Sequence, residues 1–253
     1  LMLSRVDLNE NCFFDLVPPR FLAEYCGMRV EITKHVLETY DKPENYDYLL
    51  KMTKLLTKIS HNELNIDLSS LNSVMHRENA RRFRKKAENL PKYISYNLFG
   101  TKTGRLSTKK GSFPIMNINK EYRSIVRPKN DYFLELDFNA AEVRTLLALA
   151  GAKQPRMDIH AWNLAQGMGD NVESREDAKK AFFSWLYDEK KINNNLEEIY
   201  HRNQVRESHF KGNKVTTPFG NTMEADHHHA LSYLIQGTTA EMVLRQAIKI
   251  DEF

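Results

Sequence analysis

The chain has 253 residues, of which 41% are hydrophobic and 28% charged, an ordinary soluble globular composition with length enough for a large core. A net charge of +4 permits a polyanionic partner without requiring one. Its two cysteines, Cys12 and Cys26, lie fourteen apart with no CxxC spacing, which argues against a disulfide scaffold or a cysteine zinc site and fits a reducing compartment. No run of 18 apolar residues occurs, so no membrane partner is expected and a cytoplasmic location is. The opening "LMLSRVDLNE" is not a signal peptide and lacks Met, and the closing "AIKIDEF" looks like an interrupted helix without a stop signal. The sequence therefore reads as cut at both ends.

Residues 1–70 read as helical segments broken by polar turns. "EITKHVLETY" and "YDYLLKMTKLLTKI" place apolar residues at three- and four-residue steps, and Pro43 fixes the turn between them. Residues 76–92 are the most basic stretch, with Arg77, Arg81, Arg82, Arg84, Lys85, Lys86 and Lys92. A charge run is usually a solvated helix face. Here a second cluster (Lys102, Arg105, Lys109, Lys110) follows closely, and the two together would suit a phosphate backbone. The segment 112–131 looks loop-like, then extended. "YFLELDFN" is a short apolar run ending on Asp137 and reads as a buried strand. "AAEVRTLLALAGA" is a helix closed by Gly151. Residues 188–211 are polar and helical, "KVTTPFGNTMEA" is strand-like around a Pro218–Gly220 turn, and "HHHALSYLIQGTTAEMVLRQAIKI" is a long final helix. The expected class is α+β and helix-rich.

The segment "SREDAKKAFFSWLY" carries Arg175, Lys179, Phe183 and Tyr187 at strict four-residue spacing. On a helix each such step turns about 400°, so the four side chains form one stripe roughly 18 Å long. Two cations followed by two rings match a nucleoside triphosphate lengthwise, with phosphates on the cations and base on the rings. The competing reading is an amphipathic helix with a basic edge. Asp137, at a strand end, suits a hard divalent cation; its plainer role is an N-cap for the helix that follows. His160 in "MDIHAW" is a lone histidine, and such residues are more often structural. Gly104 lets the backbone beside Arg105 approach a ligand or duplex closely. Gln236 reads either as a minor-groove contact or as a surface amide at a helix kink near Gly237. His227, His228 and His229 point about 100° apart on a helix and cannot share one ion.

Taken in order, "TGRLST", "LDFNAAEVR", "DIHAW", the Arg-Lys-Phe-Tyr stripe and "LIQGTTAEMVLR" resemble the family A DNA polymerases. The resemblance covers residues 93–248. It implies a right-hand fold with a partial thumb over 1–92, palm over 93–150, fingers over 151–211 and a duplex-contacting return over 212–253. By that resemblance Asp137 and the carbonyl of Phe138 bind catalytic metal, and two Mg²⁺ ions are the expected cofactor. Glu142 becomes the gate against a ribose 2′-hydroxyl. His160, Arg175 and Lys179 contact the triphosphate, with Arg175 and Lys179 assisting catalysis. Phe183 stacks on the incoming base and sugar, and Tyr187 caps the nascent pair. Arg105, Asn117 and Gln236 contact DNA. The implied partners are primer–template DNA and dNTPs, in a bacterial cell or a phage-infected host.

Three departures stand out. Asp188 occupies the position of a family glycine, and Ser232 that of an asparagine four residues before Gln236. The second catalytic carboxylate, carried in the family by a His-Asp-Glu turn, has no counterpart before Phe253. The sequence thus reads as a polymerase fragment with an incomplete palm. A single-subunit RNA polymerase is the alternative in the same fold, disfavoured by Glu142 and Phe183. A non-catalytic DNA-binding protein, or a split-polymerase subunit, is the alternative in another class.

Overall fold

The computed structural model describes residues 18–39, 41, 45–168 and 172–253. They fall into two compact units, divided before Asn45. The first holds one helix, α1 (Leu22–Thr39), preceded by a 3₁₀ turn at Pro19–Phe21 where proline's fixed φ suits a first helical turn. Residues 31–39 of the expected "EITKHVLETY" helix form its second half. None of its side chains is buried, and Met28, Val30, Ile32, Val36 and Leu37 are exposed. The expected turn at Pro43, and Cys12, lie outside the described residues.

The second unit is helix-rich α+β. Its helices are α2 (Tyr46–Ser60), α3 (Glu78–Glu88), α4 (Ala141–Leu149), α5 (Ile159–Ala165), α6 (Arg175–Tyr187), α7 (Asn194–Tyr200), α8 (Arg202–His209) and α9 (His227–Glu252). The strands are short and antiparallel. β1 (Asn65–Ile66) pairs with β4 (Val126–Arg127), and β2 (Tyr96–Asn97) with β3 (Ser107–Thr108). β5 (Phe210–Lys211), β6 (Lys214–Thr216) and β7 (Thr222–Glu224) form a three-stranded meander.

Capping explains where several helices begin. Asp158, Ser174, Asn193 and Asp226 each accept a backbone N–H in the first turn of α5, α6, α7 and α9 respectively. For α6 the cap is reciprocal, since the Ser174 hydroxyl also meets the Asp177 carboxylate at 2.6 Å. Glycine closes α4 as expected, with Gly151 at φ +71 just beyond the helix.

Three apolar clusters hold the unit together. The largest joins α4, α5, α6, α7, α8 and α9 around Leu146, Ile159, Phe182, Tyr200 and Ile235. A second, around Leu71, Phe113, Tyr122 and Ile125, packs α3 against the short strands and 3₁₀ turns of residues 64–126. The third seats Met52, Leu55 and Leu56 of α2 on Leu244 and Ile248 of α9. The Arg245 guanidinium lies between the Tyr48 and Phe219 rings, 4.4 and 4.7 Å from their centroids, and bonds the buried Glu241 carboxylate at 2.6 Å.

Three expectations are corrected. Residues 132–138 do not form a buried strand: the segment has no regular secondary structure and is exposed, with Tyr132, Phe133, Leu134 and Leu136 facing solvent. A strand is defined by its pairing, and among the described residues no backbone–backbone hydrogen bond engages 129–138. Asp137 also does not cap α4, because Ala140 holds that position at φ +49 without a side-chain cap. Gln236 and Gly237 do not interrupt the final helix either, since α9 runs unbroken from His227 to Glu252. Gly237 serves packing instead: a β-carbon there would lie 2.9 Å from Met223 Cε on β7.

Candidate nucleotide and duplex site

Four of the sequence-derived residues join in one network, in which the Glu142 carboxylate bonds two of the others directly. Glu142, in the first turn of α4, accepts from Arg105 Nη2 at 3.1 Å through Oε1 and from the Tyr187 hydroxyl at 2.9 Å through Oε2. Arg105 Nη1 reaches Gln236 Oε1 at 3.5 Å, and Gln236 Nε2 donates to Ser232 Oγ at 3.1 Å. The loop between β2 and β3, the start of α4, the end of α6 and the middle of α9 therefore converge. Gly104 makes the loop's turn at φ +68, a conformation that favours glycine. Burial, then the Glu142 carboxylate, push the Tyr187 phenol above its ordinary value, so its hydroxyl remains a donor. Ser232, where the resemblance expects asparagine, still anchors the Gln236 amide.

α6 presents the stripe along one face. Phe183 and Tyr187 rings stack 6.1 Å apart at 12°, half-exposed, while Ala178, Phe182, Trp185 and Leu186 face the core. Lys179 is exposed and forms no ion pair among the described residues. Arg175 is engaged: Nε and Nη2 meet Asp158 at 3.0 and 2.8 Å, and Nη1 meets Glu176 at 2.5 Å. His160 packs its ring 6.1 Å from Phe183 and is only 3% exposed. Desolvation lowers its pKa, so it stays a neutral imidazole at pH 7 and any phosphate contact would be a hydrogen bond rather than an ion pair.

Asp158 titrates at about 2, held down first by the Arg175 hydrogen bond and then by the Ala161 N–H. A carboxyl with a depressed native pKa stabilises the fold above its unfolded value of 3.8, and that contribution is lost as pH falls through about 2. Asp158→Asn should therefore flatten this part of an acid-unfolding curve followed by circular dichroism, with both proteins converging below it. An unchanged slope across that window would show that Asp158 is not linked to folding.

Other expected residues stand apart. Asn117 is exposed at the end of a 3₁₀ turn and takes no part in the Glu142 network. Asp137 and Phe138 lie at the end of the exposed segment. Among the described residues no three of His, Cys, Asp and Glu come together to hold a metal ion. Asp137 and the Phe138 carbonyl, the metal ligands that the resemblance implies, are exposed, while Glu142 is bonded to Arg105 and Tyr187. The basic stretch is largely engaged locally. Arg82 pairs with Glu78, Arg84 with Glu88 at 3.2 Å and Arg77 with Glu121 at 2.5 Å, while Arg81 donates to the Met75 and His76 carbonyls. Of the three histidines, His227 meets Glu189 and His229 meets Asp226, while the His228 and His229 rings meet edge-on with centroids 5.1 Å apart.

Sequence reasoning missed two arginines. Arg144 donates to the Asn139, Pro155 and Met157 carbonyls and so fixes the link from α4 to α5. Arg202 is buried, stacks 4.6 Å over Trp185 and donates to the Trp185, Asp188 and Lys191 carbonyls, holding the C-terminal end of α6. No local pattern marks either one, because their partners are backbone carbonyls with no residue identity. Asp188 takes φ −112, which any residue adopts, so the family's glycine is not required there.

Among the described residues no helix is long and apolar enough to cross a membrane. No protein-family model matches the chain, and no curated protein matches it.

Proposed function

We propose that this chain binds a deoxynucleoside triphosphate and a primer–template duplex as the nucleotide-handling core of a DNA-directed DNA polymerase of the family A kind. The single observation that carries the reading is the meeting of Arg105, Glu142, Tyr187 and Gln236 in one network beside the stripe face of α6. These side chains come from four separate segments, at positions up to 131 residues apart.

The roles follow from chemistry. Lys179 and Arg175 meet the phosphates, Phe183 stacks on the base and sugar, and Tyr187 closes the stack. Glu142, fixed from both sides, occupies the space where a ribose 2′-hydroxyl would need to go. Arg105 and Gln236 offer amide and guanidinium donors to the minor-groove edge of the primer end. The right-hand arrangement of palm, fingers and thumb belongs to the same proposal, as does the reaction class, transfer of a nucleotide to a primer 3′-hydroxyl with pyrophosphate leaving. The roles proposed for this chain's residues are binding and orientation.

The test is binding of fluorescent dATP and rATP to the chain on a primed template. Selective, template-matched dATP binding is expected. Glu142→Ala should raise rATP affinity toward that for dATP, since the blocking carboxylate is gone. Absence of template-dependent dATP binding would overturn the reading. Binding of duplex alone would instead favour a non-catalytic DNA-binding protein.

A further inference from the structure

We propose that Asp158 is the positioning residue of the triphosphate end of this site, one carboxylate that locks the Arg175 guanidinium to the first turn of α5. The inference rests on the nucleotide reading of α6. Asp158 Oδ1 accepts from the His160 and Ala161 N–H groups at 3.0 and 2.9 Å and from Arg175 Nε at 3.0 Å. Oδ2 accepts from Arg175 Nη2 at 2.8 Å. One side chain thus caps α5 and grips the Nε–Nη2 edge of an arginine on α6, tying together the helices that carry His160, Arg175 and Lys179.

The geometry makes Asp158 a support rather than a rival of the anion. A side-on grip fixes the guanidinium plane and leaves the Nη1 side to meet a phosphate. Among the described residues the partner on that side is Glu176, the adjacent residue, whose side chain is 65% exposed. An exposed pair of that kind is weak. The His160 ring lies 6.1 Å from that of Phe183, on the helix face that also carries Arg175 and Lys179. An unpinned arginine must surrender its rotamer freedom when the triphosphate binds; a pinned one has already done so.

The sign of one substitution decides the matter. Asp158→Asn removes a negative charge beside the site, so by Coulomb attraction alone it would tighten anion binding. Positioning predicts the opposite, a loss of about five- to tenfold, the cost of immobilising one long side chain. Asparagine is a good N-cap, so α5 should persist, as circular dichroism would verify. Arg175→Lys, which keeps the charge and leaves the Asp158 cap in place but loses the fork, is the second variant and should weaken binding similarly.

The experiment is calorimetric titration of the whole chain with inorganic tripolyphosphate and with dATP. Arg175→Ala should cost much less in the Asp158→Asn background than in the parent, whereas Lys179→Ala should cost the same in both. A merely structural Asp158 would affect both cations alike and would overturn the proposal. Equal or tighter binding by Asp158→Asn would overturn it too, leaving the nucleotide reading intact. A parent chain that binds neither ligand would overturn both.

Discussion

Lys179→Ala is expected to weaken dATP binding by roughly 10- to 100-fold, the range of one hydrogen bond to a charged partner. Among the stripe cations Lys179 carries the larger share, because Arg175 is bonded to Asp158 and Glu176 while Lys179 faces solvent without an ion pair among the described residues. A triphosphate therefore meets an uncompensated ammonium there. Lys180, next in sequence, points about 100° away on the helix and lies 4.0 Å from Asp177. Lys180→Ala should change affinity less than about twofold, as expected for an exposed charge away from the ligand. Fluorescence titration at fixed salt reads both variants. Equal losses would mean that general positive charge, rather than the stripe, governs binding.

Phe182→Ala should destabilise the unit from Asn45 onward by about 3–5 kcal/mol, the usual cost of emptying a core aromatic site. Phe182 is fully buried, with Tyr200 edge-on at 4.9 Å and Trp185 at 5.7 Å. Neither neighbour is free to collapse into the space, since Tyr200 is hydrogen-bonded to Asn163 at 2.7 Å and Trp185 lies under the Arg202 guanidinium. In a unit of this size the melting temperature should fall by roughly 6–20 °C. Phe183→Ala is the contrast: that ring is half-exposed, so stability should change much less while nucleotide binding suffers. A melting temperature unmoved by Phe182→Ala would mean that α6 is not seated as described.

The adjacent phenylalanines also mark the limit of reading this chain as a string. The four-residue spacing identified the outward face of α6 correctly, with Phe183 and Tyr187 on it, since residues at i and i+4 share a face whatever surrounds them. The spacing could not tell how each group on that face would be engaged. Arg175 turned out to be gripped by Asp158, a residue read only as part of the histidine motif. His160 turned out to be buried and neutral. Glu142 and Tyr187, assigned separate roles through the resemblance, share a hydrogen bond.

What the sequence determined by itself is the helices α2, α4, α6 and α9, the terminating Gly151 and the turn at Pro218–Gly220. Helical hydrogen bonds close within four residues, so the pattern that makes them is local and legible. What only the tertiary structure decided is every feature whose partner is remote. The apolar run in "YFLELDFN" reads as a buried strand, yet a strand gains its hydrogen bonds from a neighbour, and none among the described residues supplies them. The meeting of Arg105, Glu142, Tyr187 and Gln236, and the carbonyl grips of Arg144 and Arg202, likewise depend on which helices pack together. That packing is set by the shape of whole apolar faces rather than by any short run of residues.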